Sequence, residues 1–146
     1  MKLRISILLI MLVSFSLVVG GCGKPKDPEN PQEMKEKFAT KVNYMMWKVD
    51  ATKEQKEKMD KLLDGLSVDL FNFQEEDKKI KRGLIDAFHA DPLNQEYLDA
   101  LQVKGLDLFD RFTKRMMKAA VDTAAILNVE QRRELVDLWR EWEFGD

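Results

Sequence analysis

The chain has 146 residues, with 24 basic and 26 acidic side chains, a formal net charge of −2, one cysteine, one histidine and four prolines. That length suits one ordinary domain, and a single cysteine excludes a disulfide within the chain. The slight acidity argues against a nucleic-acid partner, which selects net basicity or a basic face carrying base-stacking aromatics.

The chain opens with Lys2 and Arg4, runs through apolar residues from Ile5 to Val19, and reaches Gly20, Gly21 and Cys22. A basic start, an apolar run and small residues are the three parts of a secretory signal; the run falls short of the ~20 apolar residues of a membrane-spanning helix. The stretch Val19-Gly20-Gly21-Cys22 resembles the lipobox of bacterial lipoproteins. The resemblance implies cleavage before Cys22, a diacylglycerol on its sulfur and acylation of the new amino terminus; more than one acyl chain anchors stably where one does not. The alternative is an ordinary cleaved signal followed by a free thiol, a liability in an oxidising compartment. Gly23 stands where inner-membrane lipoproteins of Gram-negative cells carry aspartate, which points to the outer membrane with the domain facing the periplasm. Loss of residues 1–21 removes Lys2 and Arg4 and leaves 22 basic against 26 acidic side chains, a net charge of −4.

Residues 22–30 are polar, contain prolines and lack periodicity, so they predict an extended spacer of ~20–25 Å. The domain proper is expected over residues 31–146, nearly all helical because breakers are almost absent beyond residue 31. A first helix starts with Asn30 as N-cap and Pro31 at its first position, carries Met34, Phe38, Val42, Met45 and Val49 at three-and-four spacing, and ends near Val49. A second is predicted from Lys53 to about His89, with Met59, Leu62, Leu66, Leu70, Phe73, Ile80, Leu84 and Phe88 on one seam. At ~1.5 Å per residue it is roughly 55 Å long. Gly65 and Gly83 weaken it, and Asp77 on the seam predicts a bend or a thin point in the core. Asp91 as cap and Pro92 as first residue predict a third helix reaching Ile126 through Tyr97, Leu101, Leu108, Phe112, Met116 and Ala119, folded back on the second. A fourth follows Asn128 with Leu135, Leu138, Trp139 and Trp142. Trp47, Trp139 and Trp142 are expected to close the packing between the first and fourth helices.

Thr52-Lys53-Glu54-Gln55 and Asn128-Val129-Glu130-Gln131 share one design: a capping residue, a Glu near the positive end of the helix dipole, and a Gln three residues after the cap. Each is a capping box, in which cap and Gln side chains satisfy each other's backbone N–H groups. Boxes of this kind start many unrelated helices. Two of them, heading the second and fourth helices of a small exported helical chain, resemble the repeated LTxxQ signature of the Spy/CpxP family of periplasmic stress proteins. Ala51 replaces Leu in the first copy and Asn128 replaces Thr in the second. The likeness covers residues 31 to 142 and includes the Asp91-Pro92 tip and the arginines Arg132 and Arg133 after the second motif. It implies four helices pairing through a long hairpin into a cradle-like homodimer. It also implies one of three roles, none enzymatic: an ATP-independent chaperone of unfolded envelope proteins, an adaptor binding the periplasmic domain of a stress-sensor kinase, or a protein linked to zinc, copper or nickel.

A chaperone needs a wide amphiphilic surface with apolar contacts, adaptable side chains and nearby charge. The residues suited to client binding are Phe71, Lys78, Lys79, Lys81 and Arg82 on the second helix, and Phe109, Lys114, Arg115 and Met117 on the third. Taken singly, each more often belongs to an ordinary core or a solvated face, and only the cluster points to client binding. For a metal, His89 with Asp86 and Asp91 is the available grouping, although a histidine at a helix end more often serves the dipole. No phosphate loop, zinc-protease motif or nucleophile-base pair is present, so no catalytic residue and no cofactor are expected.

Overall fold

The computed structural model describes residues 26–145. The predicted leader, Cys22 and the first part of the spacer lie outside the described residues, as does the side chain of Trp142. The described chain is all helical: α1 (Pro31–Lys48), α2 (Lys53–His89), α3 (Gln95–Ile126) and α4 (Val129–Phe144). None of these is long and apolar enough to cross a membrane.

Each helix begins where a side chain satisfies its free N–H groups. Asn30 Oδ1 accepts from the Glu33 N–H at 2.9 Å, and Pro31 occupies the first position, where no N–H is needed. Thr52 and Asn128 cap α2 and α4 as expected. The start of α3 differs from the expectation. Asn94, not Asp91, is its cap, accepting from the Tyr97 N–H at 2.9 Å, so Pro92 lies in the connection. Both residues are good caps, and the helix starts at the one whose oxygen reaches the third helical N–H.

The end of α1 is a Schellman turn. Asp50 takes the left-handed conformation at φ 48°, its N–H donates to the Trp47 carbonyl, and the Ala51 N–H donates to that of Met46 at 2.9 Å. This reversal brings Ala51 and Met46 into one apolar cluster with Val49, Met59 and Leu127, flanked by Val42, Leu62, Ile126, Leu135 and Leu138. The main core therefore sits where the end of α1, the start of α2, the end of α3 and the start of α4 meet. Val49 is 1 % exposed, and burying a side chain of this kind contributes about 1.5–3 kcal/mol.

Away from that junction α2 has partners on two different sides. Lys35 of α1 bridges Asp60 and Asp64, whereas α3 lies antiparallel on the other side through Asp69–Arg115, stacked Phe73 and Phe112, and Glu76–Arg111. The predicted seam runs between these two contact lines, which is why Leu66, Leu70, Phe73, Ile80 and Leu84 are only half-buried. Beyond the reach of the 18-residue α1, α3 is the one described helix that covers α2, and the buried positions there are Gly83 and Ala87. Phe88, expected on the seam, is 70 % exposed because none of the described helices lies on its side.

Gly83 is a point of close approach as well as a weak helix former. A Cβ there would stand 2.7 Å from Tyr97 Oη and 3.0 Å from Leu101. The helix runs unbroken through Asp77, whose half-buried carboxylate pairs with Lys81 at 2.5 Å. The tryptophans also depart from expectation: Trp47 is 62 % and Trp139 53 % exposed. Each follows an inward residue, Met46 or Leu138, and one residue along a helix turns the side chain by about 100°. Lys48 Nζ instead sits over the Trp47 ring at 5.5 Å. In the described part of the predicted spacer, Pro28 is buried and Asp27 pairs with Lys78 of α2 at 3.4 Å.

Candidate functional site

The two capping boxes meet. Within the first, Thr52 Oγ1 accepts from the Gln55 N–H at 3.2 Å, and Gln55 Oε1 accepts from the Thr52 N–H at 2.9 Å. The second repeats this with Asn128 and Gln131 at 2.9 and 3.0 Å. The glutamine amides then face each other. Gln55 Nε2 donates to Gln131 Oε1 at 2.8 Å, and Gln131 Nε2 donates to Gln55 Oε1 at 3.0 Å. The remaining N–H of Gln55 goes to the Ile126 carbonyl at 2.9 Å and that of Gln131 to the Asp50 carbonyl at 3.4 Å. Both carbonyls lie two residues before the opposite cap, so the arrangement has a local two-fold symmetry.

Every donor and acceptor of the two amides is used inside this knot. Gln131 is 8 % exposed and Gln55 half-buried, so the network ties the two hairpin turns together above the apolar cluster. A fully satisfied network rigidifies and has nothing left for a ligand. The motif residues Thr52, Gln55, Asn128 and Gln131 are thus structural, and any binding surface would lie elsewhere.

The α2–α3 pair offers one. Leu66, Leu70 and Phe73 face Leu108, Phe112 and Met116 across a cleft of about 290 Å³ bordered by Asp69–Arg115 and Glu76–Arg111. The Phe73 and Phe112 rings stack at 4.2 Å between centroids and form its floor. The Arg111 guanidinium, 2.8 Å from Glu76, holds that carboxyl below its usual range, and Glu76 and Asp107 together raise Arg111. Hydrogen bonding to Asp110 likewise raises Lys114, and Glu75 with Asp27 raises Lys78.

The residues singled out from sequence differ in their surroundings. Phe109 and Met117 are 63 % and 66 % exposed and present apolar surface on α3. Phe71 is half-buried on α2. Among the cations, Lys78, Lys81, Lys114 and Arg115 are each tied to a carboxylate, whereas Lys79 and Arg82 stand exposed. His89 is exposed at the end of α2. It does not converge with Asp86 and Asp91, and among the described residues no three His, Cys, Asp or Glu side chains gather as a metal site.

Val103, Leu106 and Val121 were missed from sequence, and they are 67, 61 and 67 % exposed. With Met117 they fall within about 60° of one another on α3, opposite buried Leu101, Leu108 and Ala119. The signal was present: α3 carries apolar residues on more faces than one partner helix can cover. No protein-family model, curated protein or solved structure matches this chain.

Proposed function

We propose that this chain is a lipid-anchored, ATP-independent chaperone of the bacterial cell envelope that holds unfolded proteins on the outer apolar surface of α2 and α3. The observation that carries this reading is the run of exposed Val103, Leu106, Phe109, Met117 and Val121 on a helix whose opposite face is already packed. Exposed apolar area of this extent marks an interaction surface, and the methionine adapts to clients of different shape. The alternating pairs Asp107–Arg111, Asp110–Lys114 and Lys118–Asp122 keep the surface soluble between encounters. The likeness of the two capping boxes to the LTxxQ repeat favours the same role, in which the domain works as a cradle-like homodimer without catalysis.

The test is aggregation of several unrelated denatured proteins, without nucleotide, in the presence of an excess of the mature domain. Suppressed light scattering for all of them supports the reading, and unchanged scattering contradicts it. Capture of a single stoichiometric sensor-kinase domain, with no effect on assorted clients, would assign the chain as an adaptor instead. Sedimentation at increasing concentration checks the dimer, which the proposal requires at working concentrations.

A further inference from the structure

The short α4 carries a second surface of different chemistry. At 100° per residue, Val129, Arg132, Arg133, Val136 and Arg140 fall in a sector of about 100° with Trp139 at its border. Of the acidic residues, Glu130, Glu134, Asp137 and Glu141 fall in a separate sector of about 60°, while Glu143 in the last turn falls by the same register within the arginine sector. Val129, Val136 and Trp139 are 44, 50 and 53 % exposed. Arg132 and Arg133 are exposed and have no acidic partner among the described residues, and Arg140 reaches Asp137 only at 3.9 Å. This differs from α3, where Arg111, Lys114, Arg115 and Lys118 are all paired.

We infer that this face of α4 docks on an anionic phospholipid surface. Three guanidinium groups present planar donors that match phosphate oxygens in pairs, and a mostly free arginine face on a chain of net charge −2 orients that face toward a negative surface. The two valines between them and the indole at the border suit the boundary between headgroups and acyl chains, where tryptophan is enriched. Leu138 and Glu141 lie beside Lys41, Tyr44 and Met45, so α4 runs back along α1. The chemistry of the α4 face does not rest on the lipid-anchor reading of Cys22.

The test uses residues 22–146 with Cys22→Ser, which retains every described residue and lacks lipid. Flotation is measured with vesicles of phosphatidylcholine alone and with about one-third phosphatidylglycerol. The expected result is flotation with the anionic vesicles only, suppressed at high salt. Arg132→Glu/Arg133→Glu/Arg140→Glu should weaken it by roughly a hundredfold, whereas Lys79→Glu/Arg82→Glu on α2 should change it less than about threefold. If the triple variant loses helicity by circular dichroism, Arg132→Gln/Arg133→Gln is held to the same direction of change. No flotation at low salt, equal flotation with uncharged vesicles, or retention in the arginine variants overturns the inference. Competition by polyglutamate as strong as by anionic vesicles overturns it in favour of an acidic protein partner. Because Cys22 is replaced, failure here leaves the lipid anchor standing, and a lipid-free Cys22 in the native protein would leave a positive flotation result standing.

Discussion

The two ends of the α2–α3 pair are built on opposite terms. At the junction end four helix termini converge, Met46, Val49, Ala51, Met59 and Leu127 are buried together, and two capping boxes close on each other until both glutamine amides are saturated. At the far end only two of the described helices remain, the buried positions are Gly83, Ala87 and Leu101, and Ile85, Phe88 and Leu93 face solvent at 58, 70 and 50 % exposure. The contrast teaches that a small chain can concentrate its stability in one corner and leave the rest of a long helical arm free to display apolar surface. Regions with few buried contacts open at low free-energy cost, as the proposed holding role would require.

Breaking the junction should have the largest effect. Gln131→Leu removes a capping box and strands the Asn128 N–H, the Asp50 carbonyl and the Gln55 amide, so urea unfolding should show a loss of about 3 kcal/mol. In a double-mutant cycle with Gln55→Ala and Gln131→Ala the two changes should couple by at least ~1 kcal/mol. Additive losses would mean the boxes act separately and would remove the two-fold knot from the account.

At the far end, Gly83→Leu forces a side chain against Tyr97 Oη and Leu101, and overpacking of this kind costs about 1–3 kcal/mol. Hydrogen exchange should show the loosening confined to the start of α3 and the end of α2, with the junction amides still protected. If protection falls equally at both ends, the two regions are one cooperative unit.

Asp50→Gly should raise stability by about 0.5 kcal/mol, because glycine takes the left-handed turn without the strain of a Cβ. The smallest effect is expected at the Glu76–Arg111 pair. The arginine lowers the folded-state pKa of Glu76, so the carboxylate contributes stability that is fully present above its unfolded value of 4.5 and is lost as pH falls through the lower folded value. Solvent screens this 44 % exposed group, so Glu76→Gln should lower the unfolding midpoint only slightly at neutral pH, and the difference should vanish at pH well below 4.5.

Much of this architecture was legible in the sequence because helix starts are written locally. Asn30-Pro31, Thr52 with Gln55, and Asn128 with Gln131 mark three starts within the chain itself, and those helices begin where their caps stand. The start of α3 was misplaced because Asp91 and Asn94 are both competent caps and only geometry chooses between them. The meeting of Gln55 and Gln131 was out of reach, since residues 76 apart face each other only after three helices have packed. The exposure of Trp47 and Phe88 was missed for a related reason: periodicity finds an apolar stripe, but the number and length of partner helices decide how much of it is covered. The role of Gly83 depends on the distance of Tyr97 across the pair, which no local pattern encodes.

The division of labour between the two ends is tested most directly by Phe109→Asp/Met117→Asp. Both side chains are exposed and outside the junction, so the unfolding midpoint should move by less than about 0.5 kcal/mol. The account predicts that this variant, folded as stably as the parent, no longer suppresses aggregation of denatured clients. Suppression equal to that of the parent at equal stability would contradict it, and would place client binding somewhere other than the outer face of α3.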